Sequence, residues 1–304
     1  MDSVPYTFCE SVCGVLRSVR EMNEMTAGSD TIYAIWNQAA KRIWERRLDA
    51  IIVIGHSDRK WSYKIKISGD NWNNERTMIS FEEFKKLDRQ HIHLNDVWIG
   101  SQSVFENRTS LEGIAETLKF TAPCVNLSDM VISERCTISE DDLFRLLSFY
   151  RNATFRQIAC HYHNRASEQF LIAQMQTNAL EILSIKGRGW TEELRSAIEE
   201  FVLNKDFRSI AVRSFSLQFG RAFFDALVQK PLLRNLSTFE ARFSFHSQQL
   251  MTSGFQEISL HVGQEMRSIR QDGVSVTIRQ YKWLLVELMR SAARAQSNSV
   301  LQQL

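Results

Sequence analysis

Residues 180–214 read LEILSIKGRGWTEELRSAIEEFVLNKDFRSIAVRS, and this stretch decides the fold. It opens with apolar residues at Leu180, Leu183 and Ile185, and closes on the same spacing at Phe207, Ile210 and Val212. Between them Leu194, Ala197, Ile198 and Phe201, extended by Val202, keep the i, i+3, i+4, i+7 spacing of an amphipathic helix. Thr191 stands before the acidic pair Glu192 and Glu193, a helix-start signal. The flanking segments EILSIKG and RSIAVRS alternate apolar and polar residues, which predicts strands buried on one face only. The unit is strand, helix, strand.

The same spacing recurs outward from this unit, at Leu94/Val97/Ile99, Leu127/Met130/Ile132, Phe155/Ile158/Cys160, Leu236/Phe239/Ala241 and Phe255/Ile258/Leu260. With the two central matches, successive starts lie 33, 28, 25, 27, 29 and 19 residues apart. In a chain with 44% apolar residues, three fixed positions match by chance in roughly one window in twelve. The intervals therefore carry the argument. Leu111, Ile114, Ala115 and Leu118 make a helical face, as do Leu143, Leu146, Leu147 and Tyr150. Phe223, Phe224, Leu227 and Val228 make a less regular one, with Pro231 as a stop. Thr109 with Glu112, and Ser139 with Asp142, read as capping boxes. Units of this kind bury their apolar faces only by stacking. A doubly wound α/β domain is the competing reading, but it prefers continuous Val/Ile runs because both faces of its sheet are covered.

The pattern resembles the leucine-rich repeat, whose units run about 20–29 residues. The expected fold class is α/β: an irregular, leucine-rich-repeat-like strand–helix array preceded by short N-terminal helices and a β-hairpin. That family usually ties its turn with Asn or Cys three positions after the last hexamer residue. Here those positions hold Gln102, Arg135, His163, Arg188, Phe215 and Ser244, so regular curvature is not expected. The position directly after each hexamer faces away from the core: Gly100, Ser133, His161, Lys186, Arg213, Arg242 and His261. Neighbouring strands would set them about 4.8 Å apart. His161, Lys186, Arg213, Arg242 and His261 then form a basic ladder, read either as a solvated face or as a docking surface for an acidic or phosphorylated target.

Residues 4–16, VPYTFCESVCGVL, follow an extended Val-Pro with a short apolar helix, and residues 32–47 place Ile32, Ile35, Trp36, Ala39 and Ile43 on one side of a second. Val4, Pro5, Phe8, Val12, Leu16 and Trp36 resemble the F-box pattern of a Leu-Pro start, an apolar helix and a later tryptophan, with Val4 in place of leucine. Together with the divergent repeats, the opening is similar to the large nematode families of F-box and F-box-like proteins. The resemblance implies binding of the Skp-type adaptor of a cullin ubiquitin ligase. The alternative is that these helices cap the open edge of the array. The expected organisation is an F-box-like segment over 1–47, a hairpin and connecting helix over 48–90, the array over 91–278, and a C-terminal capping helix and tail over 279–304. Within 48–90, AIIVIG and WSYKIKIS read as paired strands, and Ser80 with Glu83 as a capping box.

A net charge of +2 predicts no nucleic-acid or membrane partner, and no stretch reaches the length of a membrane span. Five cysteines (Cys9, Cys13, Cys124, Cys136, Cys160), an odd number, and an acidic opening predict reduced thiols in the cytoplasm or nucleus. CHYHNR places His161 and His163 on one strand face, half a zinc site at most, with Cys160 expected in the core. No catalytic arrangement stands out and no cofactor is expected. The leading expectation is a substrate-receptor adaptor of a ubiquitin ligase. A stand-alone repeat scaffold, or an inhibitor or antidote-type binder with no ligase link, is the alternative. A degenerate α/β enzyme is third.

Overall fold

The computed structural model describes residues 38–39, 41–42, 45–57, 60–68, 77–101, 105, 107–134, 137–230, 236–245, 256–260, 263–269, 274–280 and 284–290. The chain divides into two compact units, Met1–Phe170 and Leu171–Leu304, each of mixed α/β structure.

In the first unit, β1 (Leu48–Ser57), β4 (Ile92–Ser101), β6 (Val125–Ile132) and β7 (Thr154–His161) are parallel neighbours in chain order. Between them lie α1 (Phe81–Phe84), α2 (Leu111–Thr121) and α3 (Glu140–Ser148). The expected hairpin pairs β1 with β2 (Lys60–Ser68), from Asp49 opposite Ser68 to Ser57 opposite Lys60. Two short strands, β3 (Thr77–Ile79) and β5 (Asn107–Thr109), add antiparallel partners to β2. In the second unit, β8 (Ile182–Gly187), α5 (Glu192–Asn204), β9 (Ser209–Ser214), α6 (Arg221–Gln229) and β10 (Leu236–Ala241) repeat the parallel strand–helix alternation. Crossovers between parallel strands keep one hand, so strands that advance without reversing direction send every helix to the same face of their sheet.

Burial agrees. The hexamer residues lie side by side: Val97, Met130 and Ile158 in one row, Ile99, Ile132 and Cys160 in the next, and Leu183, Ile210 and Phe239 in the second unit. All are buried. Their strand neighbours Val131, Ala159, Ser184 and Ala211 are only half-buried. Buried likewise are Ile114 and Leu118 of α2, Leu143 and Leu146 of α3, Leu194 and Ile198 of α5, and Phe223 and Leu227 of α6, the Phe223 ring lying 5.5 Å from that of Phe239.

The start of β6 departs from the expected hexamer. Val125, not Leu127, stands opposite Leu94, and the register slips before Asp96 meets Asp129. Leu127 sits in the bulge at φ 54°, a left-handed conformation rare for leucine. Beside this bulge Ser128 donates to the Leu94 carbonyl, and in the second unit Ser237 likewise donates to the buried Phe207 carbonyl at 2.8 Å. Ser139 and Thr191 cap α3 and α5, and Ser80 with Glu83 closes a reciprocal box. The cap of α2 is Ser110 rather than Thr109, because Thr109 is still paired as the last residue of β5. Lys230 closes the far end of α5, donating to the Val202 carbonyl at 2.6 Å and to that of Lys205. Burial pushes its ammonium pKa down.

Two further expectations fail, and one helix was not foreseen. That helix, α4 (Arg165–Met175), follows β7; it buries Ser167, Glu168 and Gln174 beside Phe170 and Met175, and this polar content hid its apolar face. The parallel repeat ends at β10. Residues 256–260 form β11 (Gln256–Leu260), antiparallel to β12 (Gly263–Ile269), rather than a seventh unit. The expected closing helix of 279–304 is contradicted by β14 (Leu284–Arg290), which pairs with both β10 and β13 (Val274–Gln280). An exposed β10 edge needs a partner, and pairing on both sides overrides the helix propensity of LLVELMR. The antiparallel ladder also runs through the expected 278/279 boundary.

Replacing Ser237 with alanine orphans a buried carbonyl, so chemical denaturation of Ser237→Ala should show a loss of about 1–2 kcal/mol. Ser184→Ala, on the half-buried face, should stay within about 0.5 kcal/mol.

Candidate interaction face

The open face of the second unit is built at the C-terminal ends of its parallel strands. Lys186 and Arg213 stand opposite each other in the β8–β9 register, as the ladder requires. Arg213 is already engaged. Its guanidinium donates to both Glu240 carboxylate oxygens, from Nε at 3.1 and 3.2 Å and from Nη2 at 2.9 Å, which raises the Arg213 pKa. An acid from the neighbouring strand thus stands beside Arg213 in the expected basic ladder.

Beyond the strand ends, Phe215 is 47% exposed. The guanidinium carbons of Arg188 and Arg242 lie 4.9 and 5.0 Å from its ring centroid. Arg188 occupies the crown of a turn between Gly187 at φ 97° and Gly189 at φ 99°, a conformation glycine adopts without steric cost. Trp190 closes the turn, its indole N–H donating to the Lys186 carbonyl at 3.0 Å. Arg188 and Phe215 hold the positions where the leucine-rich-repeat pattern expects a turn-binding side chain. That departure was the available signal for this cluster, and Glu240 and the ring stacking had none.

In the first unit, register lines up Val53, Trp98, Val131 and Ala159 across four strands on the face away from the core, with Trp98 44% exposed. His161 Nε2 lies 4.0 Å from a Glu134 carboxylate oxygen, and its ring centroid is 5.8 Å from that of His163. His163 Nε2–H donates to the Ser133 carbonyl. Cys160 is buried, as expected for a core position. At the opposite strand ends Arg47 bonds Asp49 at 2.9 Å and His93 at 2.8 Å. Burial alone would raise the Asp49 carboxyl, but hydrogen bonds and charge from His93 and Arg47 hold it below its usual range.

No protein-family model matches the chain, and neither a curated protein nor a solved structure is found to be similar to it.

Among the described residues, no group of three or more His, Cys, Asp or Glu side chains is placed to hold a metal ion, and no helix is long and apolar enough to cross a membrane. Val4, Pro5, Phe8, Val12, Leu16, Trp36 and His261 lie outside the described residues.

Burial pushes the His163 imidazole below its usual pKa; the Ser133 bond opposes this and the charge of His161 adds to it. As pH falls, the unfolded chain therefore takes up its proton first, near pH 6.5. The stability linked to His163 is complete above about pH 6.5 and is lost as pH falls towards the folded value. The urea midpoint should drop between about pH 7 and pH 5, and drop less steeply in His163→Asn.

Proposed function

We propose that this chain is a non-enzymatic protein–protein interaction protein. In this reading an irregular, leucine-rich-repeat-like array binds a target on its open sheet face. The F-box-like segment around Val4, Pro5, Phe8, Val12, Leu16 and Trp36 binds the Skp-type adaptor of a cullin ubiquitin ligase. The observation that carries the reading is the one-sided burial of the parallel strands. It leaves faces bearing Trp98 and, at the strand ends, Phe215, two large aromatic side chains more than 40% exposed. Aromatic and arginine side chains held open on a rigid sheet are what the centres of protein interfaces are built from. Stacked strand–helix units offer such faces to partners as a matter of architecture.

Adaptor binding rests on the sequence resemblance and is tested directly. The full-length chain should capture the Skp-type adaptor when the two are co-expressed, and Pro5→Ala with Leu16→Glu should abolish capture without lowering the melting temperature. A wild-type chain that captures no adaptor would leave the stand-alone scaffold, or the inhibitor or antidote-type binder, using the same face with no ligase link.

A further inference from the structure

We propose that Lys186, Arg188, Phe215 and Arg242 form a recognition site for an acidic protein segment that carries an apolar side chain between its carboxylates, an assignment that rests on the interaction-protein reading above. Three features of the cluster support this partner.

The first is preorganisation. Arg188 is exposed, yet its turn is closed by the buried Trp190, whose indole N–H donates to the Lys186 carbonyl across it. Its guanidinium carbon lies over the Phe215 ring, 4.9 Å from the centroid, a contact that restrains the side chain. A stacked guanidinium keeps the N–H groups on its edge, the fork that takes a carboxylate in two parallel bonds. Little side-chain entropy is then left to lose on binding.

The second is the mixture of chemistries. Phe215 keeps 47% of its surface in water even with two guanidiniums against its ring. A purely ionic ligand would leave that apolar surface wet. An extended segment alternates its side chains, so residues two apart share a face. One apolar side chain flanked at that spacing by two acids meets the ring and the cations together.

The third is the carboxylate already in place. Glu240 holds Arg213 and lies two residues before Arg242. A phosphate dianion brought to Arg242 would meet that negative charge more strongly than a carboxylate does. Glu240 thus favours acids spread along a segment over a single concentrated phosphate.

The test uses the full chain and a fluorescein-labelled peptide of sequence SESESLSESES, read by anisotropy. Binding should saturate and weaken with added salt. Arg188→Glu with Lys186→Glu should weaken it by at least about tenfold. Arg188→Gln and Phe215→Ala should each weaken it by less, with unchanged circular dichroism melts. Lys119→Glu, on α2, should bind as the wild type does. The same peptide with phosphoserine in place of its glutamates should bind no more tightly. Absence of saturable binding by the wild type, equal binding by the charge-reversed variant, or tighter binding of the phosphopeptide or of a single-stranded oligonucleotide would each overturn the assignment. The broader reading is decided separately by the adaptor capture.

Discussion

Val97, Met130 and Ile158 stand shoulder to shoulder on three parallel strands, as do Leu183, Ile210 and Phe239 in the second unit, and each row is closed to water by helices. Everything else in the fold answers to this arrangement. A strand with period-two side chains has one apolar row to hide, and a helix crossing with constant hand hides it on one side. The register cannot slip by one residue without sending the apolar row to the solvent. Beside the bulge at Leu127, a buried serine hydroxyl donates to a carbonyl of the neighbouring strand. The helices are held to their places by Ser110, Ser139 and Thr191 at their starts and by Lys230 at the end of α5.

The consequence for function is a second face on the parallel strands, where, among the described residues, Val131, Ala159, Ser184 and Ala211 are only half-buried. That face is not uniformly basic. In the second unit Glu240 neutralises the central arginine, and Arg188, Phe215 and Arg242 gather the aromatic and cationic groups at the strand ends. In the first unit the corresponding face carries an apolar row around Trp98, with His161 paired to Glu134 at one end and Arg47, Asp49 and His93 joined at the other. The faces differ in charge and aromatic content.

Much of this architecture was legible in the residues. The hexamers at Leu94, Phe155, Leu180, Phe207 and Leu236 mark real parallel strands, and the amphipathic faces between them became α2, α3, α5 and α6, because both periodicities are strong and local. What was not legible depended on tertiary pairing. LLVELMR has no helix-breaking residue, and only the open edge of β10 makes it a strand. RASEQFLIAQM concealed a helix because Glu168 and Gln174 are buried in it. Thr109 and Ser110 are equivalent as caps until β5 claims the first. The Arg213–Glu240 pair joins residues 27 apart in sequence, a distance over which no spacing rule operates.

The most direct measurement of this account is thiol labelling at alternate positions of one strand. In a chain whose Cys9, Cys13 and Cys136 are replaced by serine, Ala159→Cys beside native Cys160 on β7, and Ala211→Cys against Val212→Cys on β9, would be exposed to a maleimide under native conditions. Cysteine at 159 and 211 should react at within about tenfold of its rate in denaturant, whereas Cys160 and cysteine at 212 should wait for global unfolding. Equal protection at both members of either pair would mean that both sides of the sheet are covered, and the open face would not exist.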